Sequence, residues 1–491
     1  MIYRSTRSPI QASDPEAVLS GIAPDGGLFL PKEMVFPAFS AEETVKKDFL
    51  GIAEDILHTL FDSFTREEIA DLVRASYEGK FSAPDFTPTV PVGDKYVLEL
   101  FYGPTCAFKD VALSVLPHLM VKSREKCGVT DEIVILTATS GDTGKAALCG
   151  FRDVAGTRIL VFYPHGGVSA VQRAQMVTQP GENTFVAAIE GNFDDAQTGV
   201  KNIFARFAAE NTLSGKGARL SSANSINIGR LAPQIVYYFK AYGDLLREGR
   251  LSFGDKVDFV VPTGNFGNIL AGYFAKKMGL PVGKLVCASN ANNVLTDFIR
   301  TGTYDKRRPF YQTESPSMDI LVSSNLERLL FLLSDGDDAA VAGWMKSLSE
   351  DGVYTVPAAL LEKLQEDFAA YCCDDAKAGE VLGRIYRETG YLADPHTAVA
   401  LGGAEEYFRD RMEDRPLVVL STASPFKFSG PVMKAIGLDF EGNEFDRIRR
   451  LSEVSGLAVP PSLAELESLP ERHKDVIGRD RMGDFVLSHL R

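Results

Sequence analysis

Short apolar, β-branched runs alternate with stretches of helical periodicity over most of the chain. Glu132–Thr137, Arg158–Tyr163, Thr184–Ile189, Lys256–Val261, Lys284–Ala288 and Pro416–Ser421 each read as a strand. These runs are mostly apolar throughout rather than alternating, and helix-like stretches separate most of them. Such strands are buried on both faces, so the pattern predicts parallel sheets covered by helices, an α/β fold. Ahead of them, helical periodicity runs from about Ala41 to Tyr77. The Pro-rich stretch Phe81–Pro91 follows, an extended boundary that sets off residues 1–95 as a separate unit. Residues 300–385 carry the helical segments Leu326–Leu333 and Pro357–Tyr371, with little strand signal. After about Gly430 the chain is charged and reads as helical (Glu444–Leu451, Leu463–Ile477), which suggests a peripheral cap.

With 491 residues the chain has room for two or three domains and buries large cores without disulfide staples. Its 66 acidic residues exceed the 52 basic ones, and no Lys/Arg-rich block is present. That balance argues against a general nucleic-acid or membrane-surface binder, while leaving room for a small anion held locally. None of the six cysteines forms a C-x-x-C pair and there is no H-E-x-x-H. The expectation is therefore free thiols in a reducing compartment and no metal site. Met1–Pro9 carries no apolar signal core, and no apolar run approaches the roughly 18 residues of a membrane span. A cytoplasmic protein is expected.

Two predicted strand ends run into glycine turns that open helices, Ala138–Gly144 (ATSGDTG) and Pro262–Asn268 (PTGNFGN). A turn of this kind presents free N–H groups and the positive end of a helix dipole, which suits phosphate or carboxylate. Neither is a standard nucleotide motif. A P-loop ending at Gly144-Lys145 has Gly and Ser/Thr where this chain has Thr139 and Ala146, and PTGNFGN is G-x-x-G rather than G-x-G-x-x-G. In Glu99–Asp110 (ELFYGPTCAFKD), Lys109 closes an apolar stretch as a helical pattern begins. Desolvation there lowers a lysine toward neutrality, the form a Schiff base requires. Ser221–Arg230 (SSANSINIGR) supplies amides, hydroxyls and one arginine, the types that hold phosphate. Ser421–Phe428 (STASPFKF) places hydroxyls at a strand end with Lys427 nearby. Each segment alone also fits a plain turn or polar loop. The set together points to two anionic groups and a reactive amine.

The ordered set YRSTR…APDGGLFLP, GPTCAFKD, ATSGDTG, GNFDDAQ, NSIN, PTGNFGNILAGY, SPSMDILVSSNLERLL, DPHTAVA and STASPFKF closely resembles the threonine synthase family. These are pyridoxal-phosphate (PLP) enzymes of fold type II, the tryptophan-synthase-β-like group, and the resemblance covers almost the whole chain. It implies two α/β domains with largely parallel sheets, an N-terminal domain (1–95) and a helical C-terminal cap. The large PLP-binding domain would take 96–130 and 226–491, and the small one 131–225. By motif, the Schiff-base lysine is Lys109. The cofactor-phosphate loop is Gly264, Asn265, Phe266, Gly267 and Asn268, and the hydroxyl partner of the pyridine nitrogen is Thr422. Ser140, Gly141, Asp142 and Thr143 resemble the loop that holds the substrate carboxylate. Asn224, Ser225 and Arg230, with Asn227 beside them, resemble a segment that contacts substrate phosphate. Tyr102, Ile228 and Ser424 stand where the family commonly has His, Trp and His.

The implied reaction is that of a carbon–oxygen lyase acting on phosphates. O-phospho-L-homoserine and water become L-threonine and phosphate, the last step of threonine biosynthesis. A phospho-lyase releasing 2-oxobutyrate would use the same residues. The expected partner is this small substrate, with no nucleic acid or membrane, on a monomer or weak homodimer.

Overall fold

The computed structural model describes residues 1–491 apart from Ser140, Phe440 and Arg491. Two sheets organise the chain. The larger has the order Phe368–Cys372, Val282–Ser289, Val257–Pro262, Leu417–Ser421, Lys95–Glu99 and Thr89–Val92. Its neighbours are all parallel except the last pair, an antiparallel hairpin. The smaller, wholly parallel sheet has the order Asp475–Gly478, Thr184–Glu190, Thr157–Pro164, Glu132–Ala138 and Ala218–Ser221. Every residue of Val257–Pro262 and Thr157–Pro164 is buried, as continuous apolar runs require in sheets covered on both faces.

An antiparallel three-stranded sheet (Gln11–Ser13, Ile2–Ser5, Phe29–Pro31) and the helices Phe49–Leu60 and Arg66–Tyr77 form the N-terminal unit. The long helical pattern is broken between these helices by caps. Asp48 accepts from Gly51 N, and Thr65 with Glu68 forms a capping box. Ile52, Ala53, Ile56, Leu57 and Leu60 face the core at helical spacing. This unit reaches the lysine segment directly, where Tyr77 Oη donates to the Val111 carbonyl at 2.8 Å.

Three expectations need correction. Pro357–Tyr371 is helical only over Ala358–Asp367. At Phe368 the backbone turns extended, and Phe368–Cys372 adds an edge strand to the large sheet. Pairing with Leu285–Ser289 overrides the helical pattern there. Leu463–Ile477 is not a helix. Pro461–Ala464 and the turn Leu466–Ser468 end before Pro470, and Asp475–Gly478 pairs with Ala187–Glu190 in the small sheet. The C-terminal part is therefore a mixed segment that completes the small sheet. Finally, Thr89–Val92 lies within the large sheet, so the end of the Pro-rich stretch, from Thr89 on, already belongs to it. Its Pro91 is tolerated on an edge strand. Among the described residues, no helix is long and apolar enough to cross a membrane, and no cluster of His, Cys, Asp or Glu could hold a metal ion.

Candidate active site

The site is built from loops at the carboxyl ends of the large sheet's strands and of the small sheet's strand Glu132–Ala138. The lysine loop is pinned to the neighbouring strand end by backbone bonds. Leu100 N donates to Ser421 O at 2.9 Å, Phe108 N to Thr422 O at 2.9 Å, and Ser424 N to Cys106 O at 3.0 Å. Cys106 adopts a left-handed conformation (φ 59°) to make this turn. Gly103 is required for a different reason. A Cβ there would lie 2.4 Å from Asp110 Cβ, because the Asp110 side chain folds back over it. Its carboxylate accepts from Thr105 N at 2.8 Å and Thr105 Oγ1 at 2.6 Å. Lys109 opens the short helix Lys109–Leu113 and is buried. Its Nζ donates to Ser317 Oγ at 2.9 Å and lies 3.8 Å from Asp142 Oδ2. Burial is the main cause that lowers this amine to about 8. Asp142 opposes the shift, and Lys427 and Arg230 add to it. Thr422 is buried at the end of the strand Leu417–Ser421.

The loop Gly264–Asn268 follows Val257–Pro262 and opens the helix Gly267–Lys277 through a left-handed Phe266 (φ 62°). A Cβ on Gly264 would come within 2.8 Å of the Ser317 carbonyl, so this glycine lets the Ser317 loop close over it. The Asn265 carbonyl accepts from Asn325 N at 3.1 Å and Asn325 Nδ2 at 3.0 Å. Asn268 Oδ1 accepts from Tyr237 Oη at 2.7 Å and Tyr238 Oη at 2.9 Å. Its Nδ2 is buried without a partner among the described residues. A free amide donor beside the exposed N–H groups of a helix start suits a phosphate.

Arg230 lies on Ile228–Leu231, capped by Asn227, whose side chain accepts from Gly229 N at 2.9 Å and donates to Val18 O at 2.9 Å. Asn227 is thus committed to joining this turn to the N-terminal unit. Arg230 is buried and donates to the Ala223 carbonyl at 2.8 Å. Among the described residues no carboxylate pairs with it, and burial alone lowers it to about 10. Asn224 is exposed and Ser225 half-buried. Ser225 Cβ lies 3.7 Å from where a Cβ on Gly267 would sit, which brings this segment against the glycine loop.

Of the loop Ser140–Gly144, Ser140 lies outside the described residues. Gly141 N and Gly144 N both donate to Thr139 Oγ1 at 3.0 Å, and Gln172 occupies the space a Cβ on Gly141 would need. Thr143 is half-buried. Asp142 is buried and accepts from Lys427 Nζ at 2.6 Å, an ion pair that helps hold the carboxyl far below its usual range. An ionised carboxylate only accepts, so the Asp142 side chain offers an incoming carboxylate no donor. Three further residues complete the site: Lys427, Ser317 and His396. His396 Nε2 accepts from Ser317 N at 3.1 Å, and its Nδ1 lies 2.7 Å from Asp394 Oδ1. The SPSMDI and DPHT segments carry Ser317 and His396, but nothing in their spacing pointed to Lys109.

A buried lysine with a lowered amine beside two glycine turns, in a fold of two largely parallel sheets, fits the class of pyridoxal-phosphate-dependent enzymes. Residues 84–423 match the pyridoxal-phosphate dependent enzyme family, 2–77 the threonine synthase N terminus and 397–484 the threonine synthase C-terminal region. The chain is 41% identical to threonine synthase of Pseudomonas aeruginosa, covering 89% of this chain and 90% of that one. It is 38% identical to human threonine synthase-like 1, over 95% of this chain. It spans only 62% of that protein's length. The solved PLP-bound threonine synthase of Brucella melitensis superposes with a TM-score of 0.88 at 36% identity, with all of both chains covered. The chain belongs to the threonine synthase family.

Proposed function

We propose that this protein converts O-phospho-L-homoserine and water into L-threonine and phosphate. The observation that carries the reading is Arg230, a buried guanidinium with no carboxylate partner among the described residues, close enough to Lys109 to depress its amine. A buried charge without a protein counter-ion is costly unless a ligand supplies one. A phosphate ester does so, and the fork of the guanidinium matches two of its oxygens.

The residues fit the cofactor. Lys109 would anchor it, Gly264–Asn268 with the free Asn268 amide would hold its phosphate, and Thr422 would face its ring nitrogen. When bound, PLP supplies an electron sink that eases loss of protons from carbons near the substrate amino group. Lys109, once free, takes the proton from Cα and then Cβ as general base, and returns protons as general acid. Arg230, with Asn224 and Ser225, holds the phosphate as it leaves Cγ and keeps it beside Cβ while water adds there. Gly141 N and Gly144 N are taken by Thr139, so the substrate carboxylate would be supported by the backbone N–H groups of Asp142 and Thr143 in this turn rather than by the Asp142 side chain. Six free cysteines support work in a reducing cytoplasm.

The test is incubation of the purified protein with O-phosphohomoserine and assay of phosphate, threonine and 2-oxobutyrate. Equal yields of phosphate and threonine are expected. Phosphate with 2-oxobutyrate instead identifies a phospho-lyase and overturns the reading.

A further inference from the structure

Lys427 has no role in the chemistry above, yet it is fully buried at the centre of the site. Its Nζ donates to Asp142 Oδ1 at 2.6 Å and to the Thr105 carbonyl at 3.0 Å. Thr105 in turn holds Asp110, the neighbour of Lys109, and Asp142 Oδ2 returns to 3.8 Å from Lys109 Nζ. A closed ring of contacts thus runs Lys109–Asp110–Thr105–Lys427–Asp142–Lys109. It links the lysine loop, the small-domain turn and the Ser421–Phe428 segment.

We propose that Lys427 is a positioning residue that anchors Asp142 as a fixed counter-charge beside the Lys109 nitrogen. The argument is one of charge and geometry. A buried carboxylate survives only if paired, and without Lys427 the cation left for Asp142 to close onto is Lys109. Lys427 pairs one of its oxygens and, tethered to Thr105, holds the carboxylate in place. The second oxygen is left toward Lys109, near but beyond hydrogen-bond distance. Around Lys109 the other ionisable groups are Arg230, which adds positive charge, and Asp110, which is bonded to Thr105. His396, on the same loop system, accepts from Ser317 N through Nε2 and turns its Nδ1 to Asp394. The Asp142–Lys427 pair is then the adjustable part of the field at the nitrogen. Asp142 favours a proton on it, and Lys427 opposes one.

The inference rests on the reading of Lys109 as the cofactor lysine, and the two fail separately. Visible absorption of the purified holoenzyme is followed against pH for the native protein, Asp142→Asn and Lys427→Met. Borohydride reduction and peptide mapping identify the labelled lysine. A label on another lysine removes the cofactor reading and this inference with it. With the label on Lys109, Asp142→Asn should move the absorbance midpoint to lower pH by about one unit or more. Lys427→Met should move it to higher pH, since repulsion is lost while the carboxylate stays. Lys427→Gln keeps a donor toward Asp142 and Thr105, carries the same expected direction, and serves if the Met variant does not fold. A merely structural pair moves both midpoints the same way or neither. Either result, with the label on Lys109, overturns the proposal.

Discussion

Lys109 Nζ donates to Ser317 Oγ at 2.9 Å, and the same serine gives its backbone N–H to His396 Nε2 at 3.1 Å. With Nε2 accepting, the imidazole proton sits on Nδ1, 2.7 Å from Asp394 Oδ1. Asp394 also caps the helix Pro395–Asp410, and Thr397 reaches Ser421 Oγ at 3.0 Å. The lysine is thereby tied, through one loop and one tautomer, to the end of the central strand.

Asp394→Asn tests that tie. The asparagine keeps the helix cap, but its amide can offer N–H to Nδ1 and drive the imidazole proton to Nε2, against Ser317 N–H. We expect stability to fall by about 1–3 kcal/mol in equilibrium denaturation, the scale of one buried charged hydrogen bond. Imidazole nitrogen shifts should report the change of tautomer. An unchanged tautomer would remove the argument.

The lowered Lys109 amine has a direct readout in cofactor-free protein. Only the free amine reacts with cyanate, so carbamoylation at Lys109 should rise with pH and reach half its limiting rate near 8. Solvent-exposed lysines continue to rise toward about 10.4. Peptide mass spectrometry separates the two populations. A Lys109 midpoint with the exposed group would mean the amine is not desolvated in solution.

Two glycines of one loop should behave differently. A Cβ on Gly267 meets nothing nearer than Asn325 Nδ2 at 3.5 Å. Gly267→Val should therefore fold, yet intrude on the space before the helix N-terminus and weaken PLP binding by about 10-fold or more, roughly 1.4 kcal/mol. A Cβ on Gly264 would lie 2.8 Å from the Ser317 carbonyl. Gly264→Ala should cost about 1–3 kcal/mol of stability by forcing the Ser317 loop away. Cofactor titration and denaturation curves on both variants distinguish a ligand effect from a packing effect.

Arg230→Lys replaces a fork with a point charge. PLP and its colour should remain, because the cofactor phosphate is assigned to Gly264–Asn268. Turnover of O-phosphohomoserine should fall on the order of 100-fold, near the loss of one charge-assisted bond of roughly 2–3 kcal/mol. Binding of an analogue without the phosphate should hardly change. Loss of PLP, or equal weakening of both ligands, would make Arg230 structural or cofactor-binding.

Six central strands and both glycine turns were legible from residue pattern, because a strand buried on two faces must be continuously apolar and a tight strand–helix turn needs glycine. Lys109, an amine among apolar neighbours at a helix start, was legible only with the other segments beside it, since alone it also fits a surface lysine. What the pattern could not carry was partnership over distance. Asp475–Gly478 becomes a strand only because Ala187–Glu190 offers it a free edge, and Phe368–Cys372 only because Val282–Ser289 does. Asp142 reads locally as part of an anion-binding turn. It becomes a buried counter-ion because the fold delivers Lys427 from 285 residues away. Ser317 reaches Lys109 across 208 residues in the same way. Local periodicity records which face of an element is buried. Which charge or donor stands opposite a buried group depends on how separate elements pack, and that is decided only when the two sheets and their loops come together.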